Sequence, residues 1–443
     1  MKSSKLPKRI HFVGIGGIGT SALALHLHNC GFTVSGSDRT ESEVTNRLIS
    51  SGIRVFIGHN SQNVVGAQAV VMTSAIPCGN EEVQEAKRCG IPVYLREQVL
   101  GKIFDGFPQR IAVCGTHGKT TVTAMTSCIM SGCGVPHTAF IGGEYQGTNY
   151  VCQGNSSVVA EACEYNRSFL YLHPTVCVCL NAEYDHPDCY ADVAEVQAAF
   201  AKFFSNTEAG GTVVLPPDLQ SLAEGKKLLT AGSGGDFCAK NVRYAKGKPS
   251  FDLYAFGKKV CRVKLNVLGK HNVNNALFAL AAAYSAGLPL LQAAHALQGF
   301  CGVGRRLTDC GGENYKVVCD YAHHPTEIRC SVQTAKSVAR GKVICLFQPH
   351  TYSRTKALWQ QFISCFSQAN EVVYLPIFSA REEPIGQITS QNLCMAARRL
   401  GYNATYCADF DEAVEYVGKT ASRGDIVLVL GAGDIVKIVD KLL

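Results

Sequence analysis

The stretch Ile111–Met130, IAVCGTHGKTTVTAMTSCIM, limits what this chain can fold into more than any other. Ile111, Ala112 and Val113 read as a buried strand, a tight glycine turn follows, and Lys119-Thr120-Thr121 opens an amphipathic helix. Strand, glycine loop and helix start form a cradle for an anion. Backbone N–H groups and the positive helix end face one charge, and glycine brings the backbone close without a Cβ. Gly115, Thr116, His117, Gly118, Lys119, Thr120 and Thr121 are therefore expected to hold a nucleoside triphosphate. Lys119 would meet the outer phosphates, and the Thr120 hydroxyl would bind Mg²⁺. Val113 stands where the usual phosphate loop has its first glycine, so this is a shortened version. The plain alternative is a turn whose lysine points to solvent.

With 443 residues, about two to four domains are expected, each with its own core. Hydrophobic residues at 47% and charged residues at 17% exclude a disordered chain. The charge is mildly basic at +7 without a dense Lys/Arg run, which suits phosphorylated small molecules and argues against nucleic acid. The 21 cysteines are scattered, with no C-x-x-C pair, and Cys177 and Cys179 alternate along one strand. They read as small buried thiols in a reducing cytoplasm, not as disulfides or a zinc site. The start, MKSSKLPKR before IHFVGIGGIG, imitates a signal peptide, but its glycines fit a nucleotide loop better. The longest apolar stretch, Ala276 to Leu291, is interrupted by Ser285, Gly287 and Pro289, so no membrane span is expected.

In the first segment, Ile10-His11-Phe12-Val13 reads as a strand. Gly14, Gly16 and Gly19 follow as G-x-G-x-x-G, with Gly17 inside the loop. A second strand, TVSGS, ends at Asp38, where an acid would reach a ribose hydroxyl. The loop could hold the pyrophosphate of NAD or of a UDP-sugar, or be a packing turn without a ligand. AVVMTSAIP ends another strand, with Thr73 and Ser74 offering hydroxyls, and the first boundary is placed near Phe107-Pro108.

Beyond the phosphate loop, SVVAEACEYNRSF ends a strand at Glu161 with Glu164 close behind. TVCVCLNAEYDHPDCY ends in Asn181, Asp185 and His186. Strand ends of a parallel sheet converge on one crevice, and a carboxylate and an imidazole there suit a divalent cation. In LGKHNVNNALFALAAAYSAG, His271, Asn272 and Asn275 crowd the start of an Ala-rich helix. Asn272 reads equally as a helix cap, with Asn275 in the first turn, or as a contact to an adenine edge. From Gly302 onward four strands run into polar loops, a third βαβ layer. Their ends carry Asp320, His323, His324, His350, Arg354, Arg381, Glu382 and Glu383, expected to wall an active site. No nucleophile elbow is present, so covalent catalysis is unsupported.

The ordered set HFVGIGGIGTSALA, GTHGKTT, EACEYNRSFL, NAEYDHPDCY, LGKHNVNNALFALAAA, GVGRRL, DYAHHPTEI and FQPHTYSRT resembles the Mur ligases of peptidoglycan synthesis over nearly the whole chain. The resemblance implies an α/β protein of three domains. These are a Rossmann-like UDP-sugar domain at 1–107, a central P-loop ATPase-like domain at 108–303 and a Rossmann-like α/β domain for the amino acid and ADP at 304–443. It further implies ATP-dependent joining of L-alanine to the lactyl carboxylate of UDP-N-acetylmuramate through an acyl phosphate and a tetrahedral intermediate. Thr120, Glu161 and His186 would hold Mg²⁺ (or Mn²⁺), with Lys119, Glu161 and His186 catalytic. His271, Asn272, Asn275 and Asp320 would bind the adenosine, and His324, His350 and Arg354 the alanine. Gly14, Gly16, Gly17, Gly19, Asp38 and Ser74 would bind the UDP-sugar. A monomer or homodimer in the cytoplasm is the implied state.

Two positions depart from the family pattern. Ala201, with Lys202 beside it, stands where several related ligases carry a carbamylated lysine, so no carbamate is assigned. Thr351 stands where some members carry Arg, which leaves the carboxylate grip to Arg354. The rival functions are a sister ligase that attaches a preformed peptide to the same sugar nucleotide, an NAD-dependent oxidoreductase, and a nucleotide-binding regulator without turnover.

Overall fold

The computed structural model describes residues 6–77 and 79–443, so Met1–Lys5, the charged start of the signal-like stretch, lie outside the described residues. The first sheet is parallel throughout. It contains β1 (Arg9–Val13), β2 (Thr33–Asp38), β3 (Arg54–Ile57), β4 (Ala69–Met72) and β5 (Val93–Leu95), in the order β3-β2-β1-β4-β5. The chain reverses direction across the sheet at β1. The glycines after Val13 therefore sit at the switch point where open α/β sheets take ligands.

The second sheet contains β6 (Gln109–Cys114), β7 (His137–Tyr145), β8 (Thr148–Cys152), β9 (Ser157–Glu161), β10 (Val176–Cys179), β11 (Thr212–Leu215) and β12 (Lys227–Thr230), in the order β12-β11-β10-β6-β9-β7-β8. It is parallel except for β8. Because β6 lies between β9 and β10, the phosphate loop, Glu161 and the chain after Cys179 emerge on one edge. A separate antiparallel sheet follows, made of β13 (Phe237–Ala245), β14 (Lys248–Ala255) and β15 (Lys258–Lys264). The last sheet contains β16 (Thr308–Gly311), β17 (Lys316–Asp320), β18 (Val343–Phe347), β19 (Glu371–Tyr374), β20 (Ala404–Tyr406) and β21 (Ile426–Leu430), in the order β16-β17-β21-β18-β19-β20, with only β16 antiparallel.

Two sequence expectations change. The helix Lys119–Gly132 is not amphipathic, since nine of its residues, polar Thr120, Thr123, Thr126 and Ser127 among them, are buried. Small side chains and a hydroxyl bonded back to its own helix (Thr126 Oγ1 to Val122 O, 2.8 Å) let it pass through the core between sheet and helix. Asn272 is no cap. The helix begins at His271 behind Lys270, and the Asn272 amide donates to Leu268 O at 2.7 Å.

A continuous apolar core runs from the first sheet into the central one, from Phe12 and Phe104 to Phe169 and Phe200. All 20 described cysteines are free, and Cys114, Cys177 and Cys179 share that core. No described helix is long and apolar enough to cross a membrane.

Candidate active site

The phosphate loop is shaped by its neighbours. Gly118 has φ +86°, and a Cβ there would come within 2.8 Å of Asn275 Oδ1, so only glycine lets the loop and the Asn275 helix approach. Asn181, on the loop after β10, holds the far side: its Oδ1 accepts from His117 N at 2.8 Å and its amide donates to His117 O at 3.2 Å. The Thr116 hydroxyl donates to Glu183 O at 3.1 Å and accepts from Glu183 N at 2.9 Å. The helix start has no side-chain cap, which leaves its first N–H groups for an anion.

Lys119 folds back over the loop. Its Nζ donates to Gly115 O (2.6 Å) and Thr116 O (3.1 Å) and pairs with Glu164 (2.9 Å). Burial opposes its charge, but Glu164 and other nearby groups outweigh it and raise the ammonium pKa. Thr120 Oγ1 donates to Glu161 Oε2 at 2.8 Å, and Gly142 N reaches the same oxygen at 3.1 Å. His186 Nε2 lies 3.7 Å from Glu164 Oε1, and burial lowers its pKa toward the neutral, ligating imidazole. A hydroxyl, two carboxylates and a neutral imidazole around one phosphate loop are a donor set that fits a hard divalent cation. Lys202 is exposed.

Among the described residues, a compact trio of potential metal-binding side chains lies elsewhere, at His117, Glu183 and His324. It behaves as an ion cluster. Burial disfavours charge on His117, yet Glu183 (3.5 Å) and Glu327 (3.2 Å) prevail and hold its pKa up at about 9.

A cavity of about 1190 Å³ opens between the central and last sheets. Gly118, Thr121, His271, Asn272, Asn275, Arg306 and Asp320 line it. Asn275 donates to Asn272 Oδ1 at 2.9 Å, and the His271 Nδ1 atom is buried without a partner. Burial drops the His271 pKa to about 4, so its ring is a neutral acceptor or donor. Asp320 accepts from Ser331 Oγ at 2.6 Å, and burial pushes its pKa up to about 6.

Beside the metal candidates, Arg354 is buried and forks onto Asp185, Nε to Oδ1 at 2.7 Å and NH2 to Oδ2 at 3.2 Å. Burial raises and Arg354 lowers the Asp185 pKa, and the guanidinium wins, so the carboxylate stays ionised. Arg354 NH1 faces His350 Nδ1 at 3.2 Å, and the His323 ring stands 6.0 Å from that of His350. His324, expected on the amino-acid side, points the other way. It caps the helix Pro325–Val338, accepting from Thr326 N at 3.3 Å, and its ring centroid is 4.5 Å from His117. Of the histidine pair it is His323 that joins His350. Asp185 and Asn181 stand at a strand end in the sequence, whereas Glu183 and Glu327 carry no motif of their own. Their partners lie far off in sequence, and no spacing signals them.

At the first glycine loop, Gly14 N and Ile15 N donate to Ser37 O, and Gly16 N donates to Asp38 Oδ2 at 2.8 Å. Asp38 thus braces the loop itself. The helix Ile18–Asn29 starts at Gly17 without a side-chain cap, and the Arg96 guanidinium lies over Gly19. Ser74 offers its carbonyl to Arg381 NH1 at 2.9 Å, which joins the first sheet's loops to those of the last.

Three family models match in succession: "Mur ligase family, catalytic domain" at residues 9–108, "Mur ligase middle domain" at 113–283 and "Mur ligase, glutamate ligase domain" at 305–433. The chain belongs to the Mur ligase family. Among related Mur ligases, the UDP-N-acetylmuramate–L-alanine ligase of Acetivibrio thermocellus is 40% identical, with 98% of this chain and 96% of that protein covered. The protein of the same name from Clostridium perfringens is 38% identical, with 97% and 96% covered. The crystal structure of UDP-N-acetylmuramate–alanine ligase from Thermotoga maritima superposes with a TM-score of 0.83, at 31% identity over 98% of each chain. A murein peptide ligase from Psychrobacter arcticus shares the Mur ligase fold at 21% identity, with a TM-score of 0.74 over 98% of each chain.

Proposed function

We propose that this Mur ligase uses ATP to join L-alanine to the lactyl carboxylate of UDP-N-acetylmuramate, giving UDP-N-acetylmuramoyl-L-alanine, ADP and phosphate for peptidoglycan synthesis. The observation that carries the choice of substrates is the full-length likeness to ligases of that name, at 40% identity over 98% of the chain. In this reading 1–107, 108–303 and 304–443 act as three domains, each bringing one reactant.

The first glycine loop takes the UDP pyrophosphate, with Arg96 as an added cation. The loop Gly115–Thr121 takes the triphosphate, and Lys119 leaves Glu164 for the outer phosphates. His271, Asn272 and Asn275 face the adenine, and Asp320 faces the ribose. Thr120 and Glu161, with His186 and Glu164 beside them, would hold Mg²⁺ or Mn²⁺. When bound, such an ion withdraws charge from the phosphates as the carboxylate attacks. The lactyl carboxylate displaces ADP from the γ-phosphorus to give an acyl phosphate. The alanine amine then attacks that carbonyl, and phosphate leaves from the tetrahedral intermediate. Arg354, fixed by Asp185, and His350 orient the alanine carboxylate, a task suited to a planar fork. A cytoplasmic location goes with this reading, since ATP and a sugar nucleotide are its substrates.

The test is phosphate release with L-alanine against release with a preformed tripeptide, and mass identification of the product. A UDP-muramyl-alanine adduct is expected. Release with the tripeptide alone would assign the sister activity instead.

A further inference from the structure

The chain's positive charge is not spread over its surface. Residues 237–264, which form the β13–β15 sheet, contain eight Lys and Arg against Asp252 alone, a surplus of seven that equals the formal net charge of all 443 residues, +7. The remainder of the molecule is balanced. One face of this sheet packs Phe251, Leu253 and Val263 into the central core. The other face collects the cations. Strand pairing sets Lys240 and Arg262 on either side of Asp252, Arg243 and Lys264 on either side of Ser250, and Lys259 opposite Tyr254. Asp252 is buried and already engaged by Lys259 (3.0 Å) and Arg262 (3.2 Å). Lys240, Arg243, Lys258 and Lys264 remain exposed, with no acid of the sheet left to offset them. Like charges gathered on adjacent strands cost stability, so a fold that keeps them has a use for the field they make.

Three polyanionic or self-complementary occupants can be compared. A second copy presents the same positive face and is repelled. A nucleic acid strand wants successive free rings within the charged face for its bases, but Tyr254, the ring within this face, is covered by Lys240 Nζ at 4.5 Å from its centroid. The tip of the β14–β15 hairpin favours the third. Phe256 is 50% exposed at that edge, where it packs on Phe237 and Tyr284, and is followed, after Gly257, by Lys258 and Lys259. An apolar ring flanked by lysines is the pattern of a side chain seated among lipid headgroups.

We propose that the outer face of β13–β15 docks the enzyme on the surface of an anionic bilayer, with the tip of the β14–β15 hairpin at the headgroup level. The docking is peripheral, since no described helix can span a membrane. It is independent of the ligase reading, because none of these four cations lines the nucleotide cavity.

The experiment is flotation of the full-length protein with phosphatidylglycerol-containing vesicles and with pure phosphatidylcholine vesicles. Binding to the anionic vesicles alone is expected, with loss at high salt as the charges are screened. The variant Lys240→Glu, Arg243→Glu, Lys258→Glu, Lys264→Glu should lower partitioning by more than the about thousandfold that removing four cations costs, with unchanged melting temperature and turnover. The four Gln substitutions should give an intermediate loss. Equal binding to phosphatidylcholine, or undiminished binding by the Glu variant, would overturn the proposal. So would displacement of the vesicles by an oligonucleotide at equal phosphate concentration, which would make nucleic acid the partner. A raised KM for ATP in the variant with vesicle binding intact would also overturn it, since the face would then be steering nucleotide.

Discussion

The two glycine loops share one backbone plan: a buried parallel strand, a turn at a switch point and an uncapped helix start. They differ in what closes round them. The loop at Gly14–Gly19 is braced from inside its own segment, by Ser37 O, by the Asp38 carboxylate and by Arg96 above Gly19. The loop at Gly115–Thr121 is braced from several segments at once, by Asn181, Glu183, Glu164, Glu161 and Asn275, while His117 reaches Glu327 of the last sheet's first helix. In the proposed function the first holds an anion that does not react. The second, in the same reading, ties the cradle of the reacting phosphates to groups from the rest of the central segment and from the last sheet.

That contrast predicts unequal responses to substitution. The largest belongs to Lys119→Ala, which should cost about 10³-fold or more in turnover, the scale of losing a preorganised charge at a reacting phosphate. UDP-sugar binding, measured by calorimetry, should persist, and unchanged turnover would remove Lys119 from the reaction. Next is Asp185→Asn, which leaves the buried Arg354 without its counter-charge. Breaking such a pair costs roughly 3 kcal/mol, read as a lower melting temperature together with a raised KM for alanine and an unmoved KM for ATP. An ATP effect of equal size would place Arg354 elsewhere.

Gly118→Ala and Gly16→Ala form a matched pair. Gly118 sits at φ +86°, so alanine there carries a strain of roughly 1–2 kcal/mol besides its approach to Asn275. Alanine at Gly16 would come within 2.8 Å of Asp38 Oδ2. The first should weaken ATP and spare the UDP-sugar, the second the reverse, and a crossed result in binding assays would undo the assignment of the two loops.

The smallest expected effect is one of pH. The folded His117 pKa of about 9 is above the ordinary imidazole value near 6.5. Its contribution to stability is therefore complete below about 6.5 and is lost as pH rises through about 9. The slope is on the order of 1 kcal/mol per pH unit in that window. Buried His271 and His350, each lowered to about 4, work oppositely and lose their contribution as pH falls below about 6.5. Melting curves of the protein and of His117→Gln isolate the first term, and identical alkaline slopes would deny the His117 clamp.

Both loops were legible in the sequence because glycine spacing after an apolar run is a backbone constraint, visible without knowing any neighbour. The meeting of Thr120 with Glu161 followed from strand ends sharing an edge. What escaped was set by distance along the chain. Asp185 and Arg354 are 169 residues apart, and nothing local marks them as partners. His323 and His324 are adjacent, so residue type could not tell which faces Arg354. The cap geometry of one helix start decides it. Asn272 suited a cap by residue type, but the helix begins one residue before it. The β13–β15 sheet was missed because its outward positions are lysine and arginine, which read as loop when the strand pattern is sought in apolar alternation.

The contact between Arg381 and Ser74 O closes a circuit. The first segment is fused to the second through a shared apolar core, the second meets the third through buried ion pairs, and the third touches the first through one exposed guanidinium. A molecule joined in a circle cannot swing open at one seam without straining or parting another. The solvent-facing clasp has the least to lose to water. Of the three seams it is the one that parts at the smallest cost.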